Sequence, residues 1–378
     1  MIPEFILFDR YSERVSFCYS DTSSSRPTIS SYRAWLCPRA AKIPMHVFEL
    51  TRKLIDIESV TPNEREIGVF LWDQLQRLAA NFDGAVEKMP VEQDRENVFV
   101  RFGDPIVVLS THMDTVPPFI ASREDGTRIW GRGACDTKGI IAAMITAAEQ
   151  ILEAKNRNFG LLFVVGEERN SAGALVAARN PRGSRFLING EPTENKLALG
   201  SKGALRYEIV AEGRMAHSAY PELGESAIEK LLNALERIRR IRLPVDAVLG
   251  SSTLNIGTIT GGRAPNVIPD QARAEIFIRV VADVTHLRGV VSKAALPDAI
   301  ANEILFIPAV HLGSLSGFLT TTVAFTTDIP AFGGAWGQPF LIGPGSIHLA
   351  HTAHESIPKD QLLEAVEIYK KMVNQLSN

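Results

Sequence analysis

From residue 45 onward the apolar positions follow two patterns that take turns along the chain. Phe48, Leu50, Leu54 and Ile55 recur at helical spacing, and Ile67, Phe70, Leu71 and Leu75 repeat that spacing on a second helix. Short runs rich in β-branched and aromatic residues follow at 106–109, 161–165 and 186–188, and these predict buried strands. After Gly139, the residues Ile141, Met144, Ile145, Ala148, Ile151 and Leu152 share one face of a predicted helix. Strands alternating with helices in this way predict an α/β domain on a mainly parallel sheet, covered on both faces.

Near residue 201 the pattern changes. A strand at 204–210, a helix at 226–240, strands at 252–259 and 271–280, a helix at 284–295 and a strand at 303–310 are predicted. That order, βαββαβ, is the split ferredoxin-like unit, an α+β insert of roughly 110 residues. The expected division is therefore 45–200 and 313–378 for the first domain, with 201–312 inserted between its two parts. A strand at 319–325 and an amphipathic helix at 359–376 complete the first domain. Residues 1–44 differ from all of this. They are rich in Ser and Arg, including Ser23 to Arg26, Ser30, Ser31 and Arg33, and show no sustained period, so a disordered extension is expected. Their start has neither the basic region nor the long apolar core of a secretory signal. Glu4, Asp9, Glu13 and Asp21 do not suit a transit peptide. Met45 is an alternative start.

Composition narrows the classes. In 378 residues, 22% are charged and 45% apolar, with a formal net charge of -3, which makes no case for a nucleic-acid partner. No apolar run approaches the roughly 18 residues of a membrane span, so no membrane partner is expected. Cys18, Cys37 and Cys135 are too few and too scattered for a disulfide framework, which points to a reducing, cytoplasmic setting.

The chemistry gathers where predicted strands run out. His112 and Asp114 stand in T-H-M-D-T-V-P, Glu167 and Glu168 in V-V-G-E-E-R, and Glu191 in N-G-E-P-T. Asp136 lies in G-R-G-A-C-D-T-K-G and His351 far downstream in A-H-T-A-H-E. In an open α/β sheet the carboxyl ends of parallel strands converge on one crevice, and imidazoles and carboxylates brought together there make a zinc site. Gly131-Arg132-Gly133 does not open a dinucleotide-binding turn, because the third glycine position is Asp136, whose charge would face a pyrophosphate. Cys135 adjoins a carboxylate that would raise a thiol's pKa, so it reads as a small packed side chain and not a nucleophile.

Taken in order, T-H-M-D-T-V-P, G-R-G-A-C-D-T-K-G, G-E-E, G-E-P-T, A-H-S and G-P-G…A-H resemble the zinc aminoacylase/carboxypeptidase family. That family includes acetylornithine deacetylase, succinyl-diaminopimelate desuccinylase and glutamate carboxypeptidase. The similarity spans about residue 45 to the C-terminus. It implies a zinc-hydrolase domain carrying a lid and dimerisation insert, and two Zn2+ ions, which Co2+ or Mn2+ can replace. The implied metal ligands are His112, Asp136, Glu168, Glu191 and His351, with Asp136 bridging, since each of its oxygens can hold one ion. Asp114 would accept the second imidazole N–H of His112 and fix its tautomer. Glu167, pointing away from its neighbour Glu168, would be the general base.

The resemblance further implies that His217, in R-M-A-H-S, reaches the partner subunit's site and stabilises the oxyanion. Asn266 and Arg279 would contact substrate, the guanidinium suiting bidentate capture of a carboxylate, while Gly343 and Gly345 let backbone approach it. His354 stands where the family usually has an acid or its amide, so it competes with His351, as does His348. His46, His286 and His311 fall outside the motifs. The expected reaction is hydrolysis of the amide of an N-acyl amino acid, of deacetylase or desuccinylase type, by a homodimer joined through 201–312. The alternatives are a carboxypeptidase or dipeptidase releasing a C-terminal amino acid, and, more remotely, a non-catalytic binding protein of this fold. The stretch from His112 to Asp136 is short for the desuccinylase branch, which tilts the reading towards small N-acyl groups or terminal release from a peptide or carrier.

Overall fold

The structure of the chain is a computed structural model that describes residues 46–378. The extension expected to be disordered lies outside the described residues. Helices α1 (Val47–Ile55) and α2 (Arg65–Phe82) lead into an antiparallel hairpin, β1 (Ala85–Glu92) and β2 (Arg95–Phe102). Then come β3 (Val107–His112), α3 (Lys138–Glu153), β4 (Phe159–Val164), α4 (Ala172–Arg179) and β5 (Phe186–Asn189). Near the C-terminus come α7 (Ile329–Phe332), β10 (Gln338–Leu341) and the long α8 (Lys359–Ser377). The six-stranded sheet has the order β1-β2-β4-β3-β5-β10. Strands β4, β3, β5 and β10 run parallel, and the β1–β2 hairpin joins β4 antiparallel, so the sheet is mainly parallel as the alternation predicts.

The apolar runs become central strands because every residue of β3 and of β4 is buried. Successive side chains of a strand point to opposite faces, and here they enter two separate cores. Val107, Leu109, Phe159, Leu161 and Phe163 pack on the side of α1, α2, α3 and α8. Val108, Leu162, Val164 and Leu187 pack on the other side against Ala174, Ala177, Phe332 and Trp336. On α8 the buried residues Leu362, Ala365, Val366, Tyr369, Met372, Val373 and Leu376 recur at helical spacing and form one stripe against α3.

The insert is a four-stranded antiparallel sheet built from β6 (Gly203–Glu212), β7 (Thr253–Gly261), β8 (Gln271–Val280) and β9 (Ile300–Ile307), in the order β7-β8-β6-β9. With α5 (Ala227–Arg239) after β6 and α6 (Thr285–Ala295) after β8, this is the split βαββαβ arrangement. It has its own core. Leu205, Tyr207, Ile209, Ile276 and Ile278 meet Leu231, Leu235, Leu287 and Val291 on one face of the sheet. The strand expected at 303–310 is corrected to Ile300–Ile307, with Val310–His311 pairing separately. Leu197–Ser201 is flanked in one small sheet by Val310–His311 and Thr320–Val323, so both connections between the two larger sheets meet there. No helix among the described residues is long and apolar enough to cross a membrane.

Candidate metal centre

Register places the chemistry. His112, the last residue of β3, lies opposite Val164, the last of β4, and Ser110 lies opposite Asn189, the last of β5. The turns leaving these three adjacent strand ends carry Asp114, Glu167 and Glu168, and Glu191. Asp136 enters from the segment that leads into α3. His351 enters from the loop before α8, where its backbone adopts φ +64°, a left-handed conformation that few non-glycine residues adopt.

Two groups of candidate ligands result. His112, Asp136 and Glu191 form one, and Asp136, Glu168 and His351 form the other, each with its ligand atoms within 4.8 Å of one another. Asp136 belongs to both. Its Oδ1 is 3.0 Å from His112 Nε2, and its Oδ2 is 3.3 Å from His351 Nε2. Glu168 Oε1 is 3.1 Å from His351 Nε2, and Glu191 Oε1 is 4.0 Å from His112 Nε2. The donor set fits two divalent cations. One carboxylate offers an oxygen to each side, and Glu191 Oε1 is buried with no hydrogen-bond partner. His348 and His354 are exposed and belong to neither group.

The charges gathered here shift one another's pKa values. His351 is pushed up to about 10 by its contacts with Asp136 and Glu168. Burial opposes a proton on His112, but the Asp114 and Asp136 carboxyls raise its pKa well above the usual imidazole value. Burial alone would raise Asp136, yet the two imidazoles hold it below the ordinary carboxylate range. Burial drives Glu167 and Glu191 up, and the charges of Asp328 and Glu168 push both further the same way. Asp328 itself rises to about 7 for the same first reason.

Asp114 lies beside His112 as expected, but its carboxylate is bonded mainly elsewhere. The nearest acceptor for His112 Nδ1 is the carbonyl of Asp114 at 3.0 Å, whereas the carboxylate Oδ1 stands at 3.6 Å, beyond a hydrogen bond. The carboxylate is occupied elsewhere. Its Oδ1 accepts from the N–H groups of Gly166 at 2.9 Å and Glu167 at 3.1 Å. Its Oδ2 accepts from Glu168 N at 3.2 Å and Thr61 Oγ1 at 2.6 Å. Asp114 therefore holds the turn that presents both glutamates.

Gly343 and Gly345 sit beneath the centre. A Cβ on Gly343 would lie 2.6 Å from the carbonyl oxygen of Glu191, and one on Gly345, at φ +89°, would lie 2.5 Å from Cys135 Cβ. Their backbone groups bond to Thr193, Glu194, Asn195 and Gln361. The close approach that these glycines permit is thus to the ligand-bearing segments of the protein itself. The Cys135 thiol is buried and pushed up by that burial and by Glu355 and Asp136, which suits a packed side chain.

In the insert, His217 is paired in register with Val267, and Asn266 accepts from Ser218 N at 3.0 Å, so His217 and Asn266 are neighbours on an exposed ladder. His217 Nδ1 accepts from Ala219 N at 3.1 Å, which leaves Nε2 outward. Arg279, near the end of β8, lies over the Phe277 ring at 4.8 Å, and its buried Nη1 has no hydrogen-bond partner. Sequence reasoning did not pick out Asp328, Thr61, Arg132 or Glu355. Only Glu355 had a signal, its place directly after A-H-T-A-H.

A mainly parallel sheet whose strand ends gather two imidazoles and several carboxylates around a shared aspartate defines a metal-dependent hydrolase. The comparisons agree. The model of Peptidase family M20/M25/M40 matches residues 108–375, and the chain belongs to that family. It is a metallopeptidase that hydrolyses amide bonds. A probable carboxypeptidase of Aspergillus terreus is 39% identical over 369 residues, covering 85% of this chain and 84% of its own length. Among solved structures, the aminopeptidase PepT of Bacillus cereus superposes with a TM-score of 0.72 at 17% identity, covering 88% of this chain and 98% of that one. The YXEP protein of Bacillus subtilis, a dinuclear metal binding peptidase of the M20 family, gives a TM-score of 0.64 at 17% identity, covering 88% and 98%.

Proposed function

We propose that this protein is a two-metal carboxypeptidase-type hydrolase that releases an amino acid bearing a free α-carboxylate. The acyl side of the scissile amide is a peptide or a simple acyl group. The observation that carries this reading is Asp136 standing between two ligand groups, with Glu167 beside them. His112, Asp136 and Glu191 would hold one cation and Asp136, Glu168 and His351 the other. When bound, the cations supply Lewis acidity that polarises the substrate carbonyl and acidifies water.

The chain's own residues do the rest. Glu167, partly exposed at the crevice, takes a proton from the attacking water and passes it to the leaving nitrogen as the C–N bond breaks. Asp114 fixes the turn from which Glu167 acts. Arg279, with a buried donor lacking a partner, suits the substrate carboxylate. His217 and Asn266, exposed together, suit donation to the developing oxyanion in the site of a second subunit joined through the insert. The name of the Aspergillus terreus relative favours peptide substrates over the N-acyl amino acids expected from the motifs, although both present the same carboxylate.

Glu167→Gln should retain two metal ions per chain and lose at least about a hundredfold in kcat, the scale of a lost general base. Full activity in that variant refutes the mechanism. N-blocked dipeptides, N-acetyl amino acids and their C-terminal amides, assayed side by side, identify the substrate. Hydrolysis of the amides as fast as the free acids refutes carboxylate recognition.

A further inference from the structure

The loop carrying His351 and the segment carrying Asp136 are joined by a buried pair. Glu355 Oε2 accepts from Arg132 Nη1 at 2.6 Å, while Oε1 accepts from the backbone N–H groups of Cys135 and Asp136, each at 3.3 Å. Arg132 also donates to the carbonyl of Thr352 at 3.4 Å, and Gly131 N donates to the carbonyl of Glu355 at 3.1 Å. Both side chains are about 2% exposed. A buried ion pair is a weak source of stability, because desolvating both charges offsets most of their attraction. What this pair does uniquely is set one backbone segment against the other.

We propose that Glu355 is a positioning residue that fixes the separation of His351 from Asp136, and so governs the Glu168–His351 half of the centre and not the His112–Glu191 half. This rests on the two-ion reading above. The His112–Glu191 half is held by other means. His112 is anchored by strand β3, by the carbonyl of Asp114 on Nδ1, and by Thr137 Oγ1 donating to its carbonyl at 2.5 Å. Glu191 follows a residue whose N–H donates to Ser110 O at 2.8 Å, and packs on Gly343. Only the Thr137 contact comes from the segment that Glu355 holds, and the anchors through β3, the Asp114 carbonyl, Ser110 and Gly343 do not involve it. His351, by contrast, is half exposed on a left-handed turn four residues before Glu355.

The test strips the full-length protein with a chelator and titrates Zn2+ back against a chromophoric competitor, beside melting of the metal-free protein. Wild type should take up two ions. Glu355→Ala should keep one at wild-type affinity and bind the other about ten- to a hundredfold more weakly, the scale seen when groups behind a metal ligand are removed. Its kcat should recover in excess Zn2+ with KM unchanged. Glu355→Gln can satisfy the amides or Arg132 but not both, so its loss should be intermediate, and it decides the matter if the alanine variant does not fold. His351→Ala should weaken the same ion, and the double variant should be less than additive. Two ions bound normally by both Glu355 variants overturn the proposal. So does equal weakening of both ions together with a lower metal-free melting temperature, which would make Glu355 part of the general scaffold. If wild type binds fewer than two ions, the two-ion reading itself fails, and this inference with it.

Discussion

Replacing Asp114 by Asn tests whether this carboxylate acts on the imidazole or on the glutamate turn. The side chain is fully buried and accepts four hydrogen bonds, three of them from consecutive backbone N–H groups at Gly166, Glu167 and Glu168. Asparagine keeps one acceptor. With its carbonyl towards Gly166 and Glu167, its NH2 faces Glu168 N and leaves that buried donor unmet. An unmet donor costs about 1–3 kcal/mol, and the remaining bonds lose charge assistance worth about 1 kcal/mol. The sum, about 3 kcal/mol, corresponds to a shift of about a hundredfold in the turn's equilibrium.

The assays are denaturant midpoint, kcat and bound metal, measured on one preparation. The expected result is a lower midpoint and a kcat reduced about a hundredfold, with the ion at His112 retained, because the Asp114 carbonyl still holds that ring. Thr61→Ala removes one bond to the same carboxylate and should cost about 1 kcal/mol of stability with little change in kcat. The pH dependence has a definite sign. Burial would raise the Asp114 pKa, but the contact with His112 and the Thr61 hydroxyl bring it below the ordinary 3.8. Its contribution is thus present above 3.8 and is lost as pH falls through the lower folded value, a loss the Asn variant should not show. An unchanged midpoint combined with loss of the His112 ion would refute the turn mechanism and return Asp114 to orienting the imidazole.

Two further outcomes follow from the electrostatics. In chelator-treated protein, His112, His351, Glu167 and Glu191 all have folded pKa values raised above their ordinary ones, so the folded state binds more protons than the unfolded chain. Stability contributed by His351 is fully present below 6.5 and is lost as pH rises towards about 10, so the metal-free melting temperature should fall across that window. Added Zn2+ should stabilise more as pH rises, since it replaces protons on the same ligands, and a metal-free melting temperature that rises with pH contradicts the assignment. Arg279→Met should raise KM at least tenfold for substrates with a free carboxylate, leave amidated ones unchanged, and not lower the melting temperature, because it removes a partly buried cation with an unmet donor. Equal effects on both substrate types would sink the role given to Arg279.

How much of this was legible in the sequence depended on where a residue's partners lie. His112 could be placed because it ends a strand buried along its whole length, and an unbroken apolar run announces such a strand. Glu191 and the Glu167–Glu168 pair were found the same way. The resemblance favours His351 over His354, but the physical basis of that choice is not legible in the sequence. It lies in a left-handed turn and in side-chain contacts to Asp136 and Glu168, and a sequence displays neither. Glu355 stands in the A-H-T-A-H-E run, but its role was not legible, because its partners lie about 220 positions away and a buried acid is spelled like any surface acid. For Asp114 the resemblance points to the imidazole of His112, and the structure adds the three turn N–H groups that its carboxylate accepts. The path of the 166–168 turn decides which atoms reach its carboxylate, and that path is a property of the folded loops. The strand misplaced at 303–310 has a related cause. Apolar residues continue through Ile307, Ala309 and Val310, and the pattern does not reveal that Val310 pairs with a different sheet.

The charge around the centre also argues for two cations over one. Asp136, Glu167, Glu168 and Glu191 bring four negative charges to one crevice, with Asp328 buried just behind them. The Asp114 carboxylate is offset by its three N–H donors and by His112, so it adds little to the imbalance. One divalent cation and two neutral imidazoles would leave an excess of about two negative charges in a poorly solvated site, which is expensive. Two divalent cations cancel the four carboxylates. The raised pKa values of Glu167 and Glu191 report the same imbalance from the other side, as acids that take up protons when no cation is near. If Glu167 is the general base proposed above, bound cations would lower its pKa, so the groups that would hold the metals would also set the proton affinity on which turnover depends.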